Sequence, residues 1–247
     1  MVQSGNEEMS APAPMQPPAG EFKSDLAAGW RGSRWLAWCE VGLVILIFLA
    51  DWSHLIPFSK TPFLLVLGWI SLRVRGIGWK AVGLSKFRSW GRTLALGVAC
   101  GLLLEGFELF LSQPLLIRLT GEKPDLSDFV VLTGNLKYTL IVIGLAWTVA
   151  AFGEEMVYRG YVMNRIADLG RRTRGAWMVS LIVVNLAFGL AHTYQGITGV
   201  IENCLDGIIL GWMYLGTKRN LSVPIIAHGV ADTVDVVLIF LGKYPTL

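Results

Sequence analysis

Apolar residues in this chain gather into long runs separated by short polar, charged or Gly/Pro-rich stretches, at roughly 35–56, 61–74, 91–111, 137–158, 176–192, 196–216 and 223–241. Most of these runs approach the roughly 20 residues that a helix needs to cross a hydrocarbon layer. The second is short. The pattern predicts an all-α fold, a polytopic transmembrane bundle of about seven to eight helices.

Composition strengthens that reading. Of 247 residues, 53% are hydrophobic and 16% charged, with a mean hydropathy of +0.55, more apolar surface than a soluble core of this size can hide. The lipid bilayer is therefore the expected solvent. A net charge of +3 gives no reason to expect nucleic acid as a partner. Charge placement says more than charge total. Lys23, Arg31 and Arg34, the 73–92 segment, Arg165 to Arg174, and Lys218 with Arg219 fall in alternate connections. The other side receives only Lys60, Arg118, Lys123, Lys137 and Lys243. The positive-inside rule then puts the N-terminus in the cytoplasm and the C-terminus outside. Short loops without a eukaryotic retention signal make a bacterial cell membrane the leading location.

Residues 1–28, with Pro12, Pro14, Pro17 and Pro18 and no apolar stretch, read as a disordered tail rather than a cleavable signal, leaving 29–247 as the helical domain. Cys39, Cys100 and Cys204 stand singly in apolar runs and suggest neither disulfides nor a zinc ribbon. Segment 75–92, with Trp79, Phe87 and Trp90 among basic residues, suits an interfacial amphipathic piece or a solvated loop. Gly97-x-x-x-Gly101 and Gly207-x-x-x-Gly211 are expected to let helices approach closely.

The chemistry concentrates where apolar runs end. The fourth run closes in Glu154-Glu155-Met156-Val157-Tyr158-Arg159, and each ionisable group costs roughly 2.5–3.5 kcal/mol at a bilayer centre. At about 100° per residue, Glu155 and Arg159 share a face and can pair, while Glu154 turns away and is the freer carboxylate. His192 ends the fifth run, and His228 opens the seventh, four residues before Asp232. The bland reading is a helix-end salt bridge plus interhelical hydrogen bonds, with Asn185 as a donor. Counting rise per residue puts Glu154 and His192 at similar depth. His228 comes out shallower unless its helix is tilted, broken or preceded by a descending loop. Glu105, Glu108, Glu202, Asn203 and Asp206 are expected either to line a hydrated chamber or to pair, with Arg118 among the partners.

Three motifs stand in order: Glu154-Glu155…Arg159, Phe188…His192 and His228…Asp232. Together with the Gly207–Tyr214 and Ser222–His228 stretches, they make residues 90–241 resemble the CAAX-protease and bacteriocin-processing (CPBP) intramembrane proteases, also called the ABI or Rce1-like family. The resemblance implies endopeptidase cleavage of a membrane-associated protein or peptide. Carried over, Glu154 is the base that activates water, His192 works with it, and His228 with Asp232 polarises or cradles the oxyanion. Glu155 and Arg159 then position the catalytic helix. Asp232 stands where the prenyl-protein proteases of the family have Asn. An acid donates only when protonated, which leaves that position's role open.

Glu154, His192 and His228 could also supply the ligands of a catalytic Zn2+ with one position left for water, and a metal-free glutamate mechanism uses the same atoms. The sequence shows no His-Glu-x-x-His and no Gly-x-Gly-Asp, and Gly83-Leu84-Ser85 lacks a following Gly. Two further classes stay open: a catalytically silent binding, immunity or scaffold protein, and a transporter with a Glu/His proton relay. The lack of an internal repeat counts against the transporter.

Overall fold

A computed structural model describes residues 29–85 and 89–246 of the chain. The expected tail, 1–28, lies outside the described residues, as do Lys86, Phe87 and Arg88 of the interfacial segment. Among the described residues the architecture is a helical bundle without strands. We number the helices α1 (Arg34–Trp52), α2 (Thr61–Val74), α3 (Trp90–Thr120), α4 (Leu136–Leu169), α5 (Arg174–Leu190), α6 (Gly196–Gly216) and α7 (Ser222–Phe240).

Local chemistry sets the boundaries. The side chains of Ser33, Asn135 and Thr173 accept from the backbone N–H three residues on and cap α1, α4 and α5. Pro62 opens α2, and Gly121, at φ 78°, closes α3. By length and composition, α1, α3, α4 and α7 can each span a membrane, and α5 with α6 qualifies only as a pair broken between them. By that measure the described residues hold four candidate spans, or five if the broken pair is one, fewer than the seven apolar runs; α2 has only 14 residues. The outward faces are apolar, as Leu46, Leu103 and Phe110 illustrate, and suit contact with lipid chains. The protein is an integral membrane protein.

The helix that organises the fold is α4. Every residue from Glu155 to Arg165 is buried, so this stretch meets protein on all sides. Its Tyr158, Tyr161 and Met163 join Leu181, Phe188, Tyr214 and Leu221 in the main core cluster. Its middle, Ala146–Val162, winds as a π-helix with i→i+5 bonds, of which Met163 N–H to the Tyr158 carbonyl is the last. A shorter π turn, Glu108–Ser112, relaxes α3 just before Pro114, whose missing N–H would interrupt an α-helical ladder. The small-residue motifs pack as expected. Gly97 and Gly101 of α3 lie against Ile226, Ala227 and Val230 of α7, and Gly207 and Gly211 of α6 against Asn185 and Leu181 of α5. The three cysteines are free.

One connection decides where α7 begins. After α6, Lys218 and Arg219 take left-handed φ values, and Leu221 N–H bonds the Gly83 carbonyl at 3.0 Å. Leu221 is fully buried and faces Gly160 of α4. Gly83 is required here: its φ is 119°, and a Cβ would run into the Arg219 carbonyl. The chain therefore turns inward before Ser222, and Ser222, Val223 and Pro224 start the helix already buried. The 79–85 stretch likewise docks on the bundle, neither a solvated loop nor a purely interfacial piece. The Val82 carbonyl accepts from Tyr214 Oη at 2.9 Å, and Trp79 packs on the core.

Candidate active site

A cavity of ≈ 430 Å³ opens among α3, α4, α5, α6 and α7, and Glu154, His192, His228 and Asp232 all line it. The inward turn at Leu221 accounts for the depth of His228. Once α7 starts inside the bundle, six residues of helix bring His228 level with Glu155.

The two adjacent glutamates have different surroundings. Glu155 is fully buried, and its Oε1 accepts from Arg159 Nη1 at 2.7 Å and from His228 Nδ1 at 3.1 Å. The expected Glu155–Arg159 pair forms, and His228 bonds this glutamate rather than Glu154. Glu154 lines the cavity with no side-chain hydrogen bond or ion pair among the described residues, yet within electrostatic reach of His228, Asp232 and Arg159. The angular argument needs correction all the same. Over a π-helical stretch 100° per residue does not hold, so Glu154 and Arg159 are nearer in azimuth than an α-helix would put them. What separates the glutamates is which of them meets donors.

Arg159 is fully buried and joins three helices. Its Nη2 donates to Asn185 Oδ1 at 3.1 Å on α5 and to the Gly207 carbonyl at 2.9 Å on α6, and its guanidinium lies 4.9 Å from the Phe188 ring centroid. Asn185 is therefore an acceptor between helices, not the donor expected. Its amide donates within its own helix, to Leu181 O at 2.7 Å. Gly207 contributes a carbonyl that Arg159 can reach because no side chain covers it.

His192 lies at the break between α5 and α6. Its Nδ1 sits 2.9 Å from the Phe188 carbonyl, which can only accept, so Nδ1 carries the proton and the neutral ring keeps a lone pair on Nε2. Phe188 stands between the histidines, its centroid 4.9 Å from the His192 ring and 6.3 Å from the His228 ring. His228 faces a carboxylate at each nitrogen, with Nε2 3.6 Å from Asp232 Oδ1. That separation is an ion-pair distance rather than a hydrogen bond, so Nε2 keeps its capacity toward the cavity.

The remaining lining extends the site. Glu108, Glu202, Asn203 and Asp206 line the same cavity, and no ion pair among the described residues joins them to Arg118. Asp235, which sequence reasoning passed over, joins them. Its signal was present, since 228, 232 and 235 follow the spacing of one helix face.

The ligand set considered for Zn2+ does not converge. Among the described residues no three His, Cys, Asp or Glu side chains gather as a metal site.

Residues 136–234 match the family model described as type II CAAX prenyl endopeptidase Rce1-like. The match runs from the start of α4 into α7 and takes in all seven residues of the three motifs. It supports CAAX-protease-type endopeptidase activity in general terms. No curated protein and no solved structure matches the chain.

Proposed function

We propose that the Rce1-like domain is an intramembrane endopeptidase that hydrolyses a peptide bond of a membrane-associated protein or peptide, with Glu154 as general base. The observation that carries this reading is the contrast between adjacent carboxylates: Glu155 is occupied by Arg159 and His228, whereas Glu154 meets no donor and lines the cavity. A glutamate that only held helices together, as in a silent binding or scaffold protein, would be expected to bond like Glu155.

In this mechanism Glu154 takes a proton from a water in the cavity, and the hydroxide attacks the scissile carbonyl. The lone pair on His192 Nε2 accepts the water's other hydrogen and orients it. His228 is held by Glu155 through Nδ1, so its Nε2–H is aimed where an oxyanion develops. Donation at both nitrogens makes the ring an imidazolium, whose charge Glu155 and Asp232 balance. Asp232 acts as a counter-charge, a role open to a carboxylate but not to Asn. Glu154 then passes its proton to the departing amine. Arg159, through Glu155, Asn185 and Gly207, fixes the frame.

The test is purified protein in nanodiscs with a panel of fluorogenic peptides, with mass spectrometry of the products. Cleavage at a defined bond that disappears in Glu154→Gln supports the reading; no cleavage of any peptide, or cleavage that persists in that variant, overturns it.

A further inference from the structure

The walls that α3, α6 and α7 give the cavity are acidic, with Glu108, Glu202, Asp206, Asp232 and Asp235 among the lining residues. On α3, Glu105 faces Asp235 of α7; Glu108 faces Asp206 of α6; and Glu202 lies one helical turn before Asp206. Among the described residues no Lys or Arg side chain lines the cavity. One of the lining groups is deeply buried with an oxygen that no donor reaches. Glu202, a lining residue, is 4% exposed with Oε1 unpartnered, whereas the buried Glu105 meets the Asp235 carboxyl. The other oxygen of Glu202 receives only a long bond, 3.4 Å from Gln113 Nε2.

Carboxylates gathered at membrane depth repel one another and lose hydration, so a cluster without a counter-ion is costly. A small divalent ion is not the matching cation, because the described acidic side chains do not converge closely enough to hold a metal. A larger cation that brings its own hydrogen-bond donors fits better: an ammonium or guanidinium on an aliphatic stem. The surrounding wall provides for the stem, since Leu126, Phe129, Val142, Val236 and Ile239 line the same space.

We infer that the Glu202–Asp206–Asp235 side of the cavity is a subsite for a lysine or arginine side chain of the peptide substrate. This inference rests on the endopeptidase reading and narrows its substrate class. The peptide bond is cleaved beside Glu154, while the basic side chain reaches across the same cavity and meets the carboxylates. Glu202 Oε1 gains the donor it lacks. An acidic residue at that substrate position is rejected by repulsion.

The experiment uses full-length protein in nanodiscs and N-acetylated, C-amidated fluorogenic peptides, so that only side chains carry charge. One position at a time is Lys, Arg, norleucine or Glu. At one position Lys and Arg raise kcat/KM about tenfold or more over norleucine, and Glu lowers it. In the Glu202→Gln/Asp206→Asn double variant that preference falls to about twofold. Asp235→Asn gives a second variant should the double one unfold. A lysine preference absent at every position, or unchanged in folded variants, overturns the subsite. Binding of the same peptides to Glu154→Gln protein, read by fluorescence anisotropy, separates the two claims. Carboxylate-dependent lysine binding without any cleavage by wild type keeps the subsite and removes the protease; cleavage without lysine preference does the reverse.

Discussion

His228 Nδ1 lies 3.1 Å from Glu155 Oε1, the oxygen that also takes Arg159 Nη1 at 2.7 Å. One buried carboxylate oxygen thus links the guanidinium that ties α4 to α5 and α6 with the imidazole of α7. Removing Arg159 leaves Glu155 charged, buried and short of its strongest donor. Arg159→Ala is expected to cost about 3–5 kcal/mol, read as a drop in thermal unfolding temperature in detergent. Arg159→Lys should not restore stability, because a single ammonium cannot donate in the fork geometry that reaches Glu155, Asn185 and the Gly207 carbonyl together. A fully stable Lys variant would contradict this.

Glu155→Gln separates positioning from chemistry. The amide keeps volume and can still bond His228, but it removes the charge balancing two cationic groups. The expected result is a fall in kcat of about 10- to 100-fold with KM little changed. Equal loss in kcat and in substrate binding would mean that Glu155 touches the substrate.

The far end of α4 carries a second buried network that should act on stability alone. Glu40 on α1 accepts from Ser71 on α2 and from Arg75, while Asp168 pairs with Arg165 at 3.1 Å and Arg172 at 2.6 Å. None of these residues lines the cavity. Glu40→Ala should lower unfolding stability by about 3–5 kcal/mol, and Ser71→Ala by about 1 kcal/mol. The kcat of the surviving folded protein should be unchanged in both; a selective loss of kcat would tie this network to catalysis.

Close packing of α3 on α7 makes a sharp contrast between two glycines of one helix. A side chain at Gly101 would strike the Ala227 carbonyl and Val230, whereas nothing lies near Gly106. Gly101→Val should cost about 1–3 kcal/mol, and Gly106→Ala should be neutral or stabilise by up to about 1 kcal/mol. Unfolding of both variants under identical detergent conditions checks this.

Much of this could be read from residue order. Run lengths located the helices, and the four-residue spacing of Glu155 and Arg159 gave their ion pair. Of the motif residues, Glu154, Phe188, His192, His228 and Asp232 line one cavity, and Glu155 and Arg159 do not. What escaped depends on departures from regular geometry. The π winding of 146–162 changes rotation per residue, so angles counted along an ideal helix separate Glu154 from Arg159 too far. The depth of His228 depends on Leu221 N–H finding the Gly83 carbonyl, a contact between segments far apart in sequence. Asn185 was identified as polar and interhelical, but its direction of donation depends on Arg159 lying opposite it.

The donor arrangement also bears on the metal question. Among the described residues no three His, Cys, Asp or Glu side chains gather as a metal site, and the proposed mechanism needs only Glu154 and water, so exhaustive chelation should leave the rate unchanged. Loss on chelation with recovery on added Zn2+ would require those side chains to rearrange into a ligand set.

The central claim is that Glu154, and not Glu155, removes the proton from water. The direct measurement is kcat/KM of Glu154→Gln in nanodiscs against wild type, with equal unfolding temperatures confirming the fold. The account predicts a loss of about 10²- to 10⁴-fold, larger than that of Glu155→Gln. Activity within a few-fold of wild type in Glu154→Gln would contradict it.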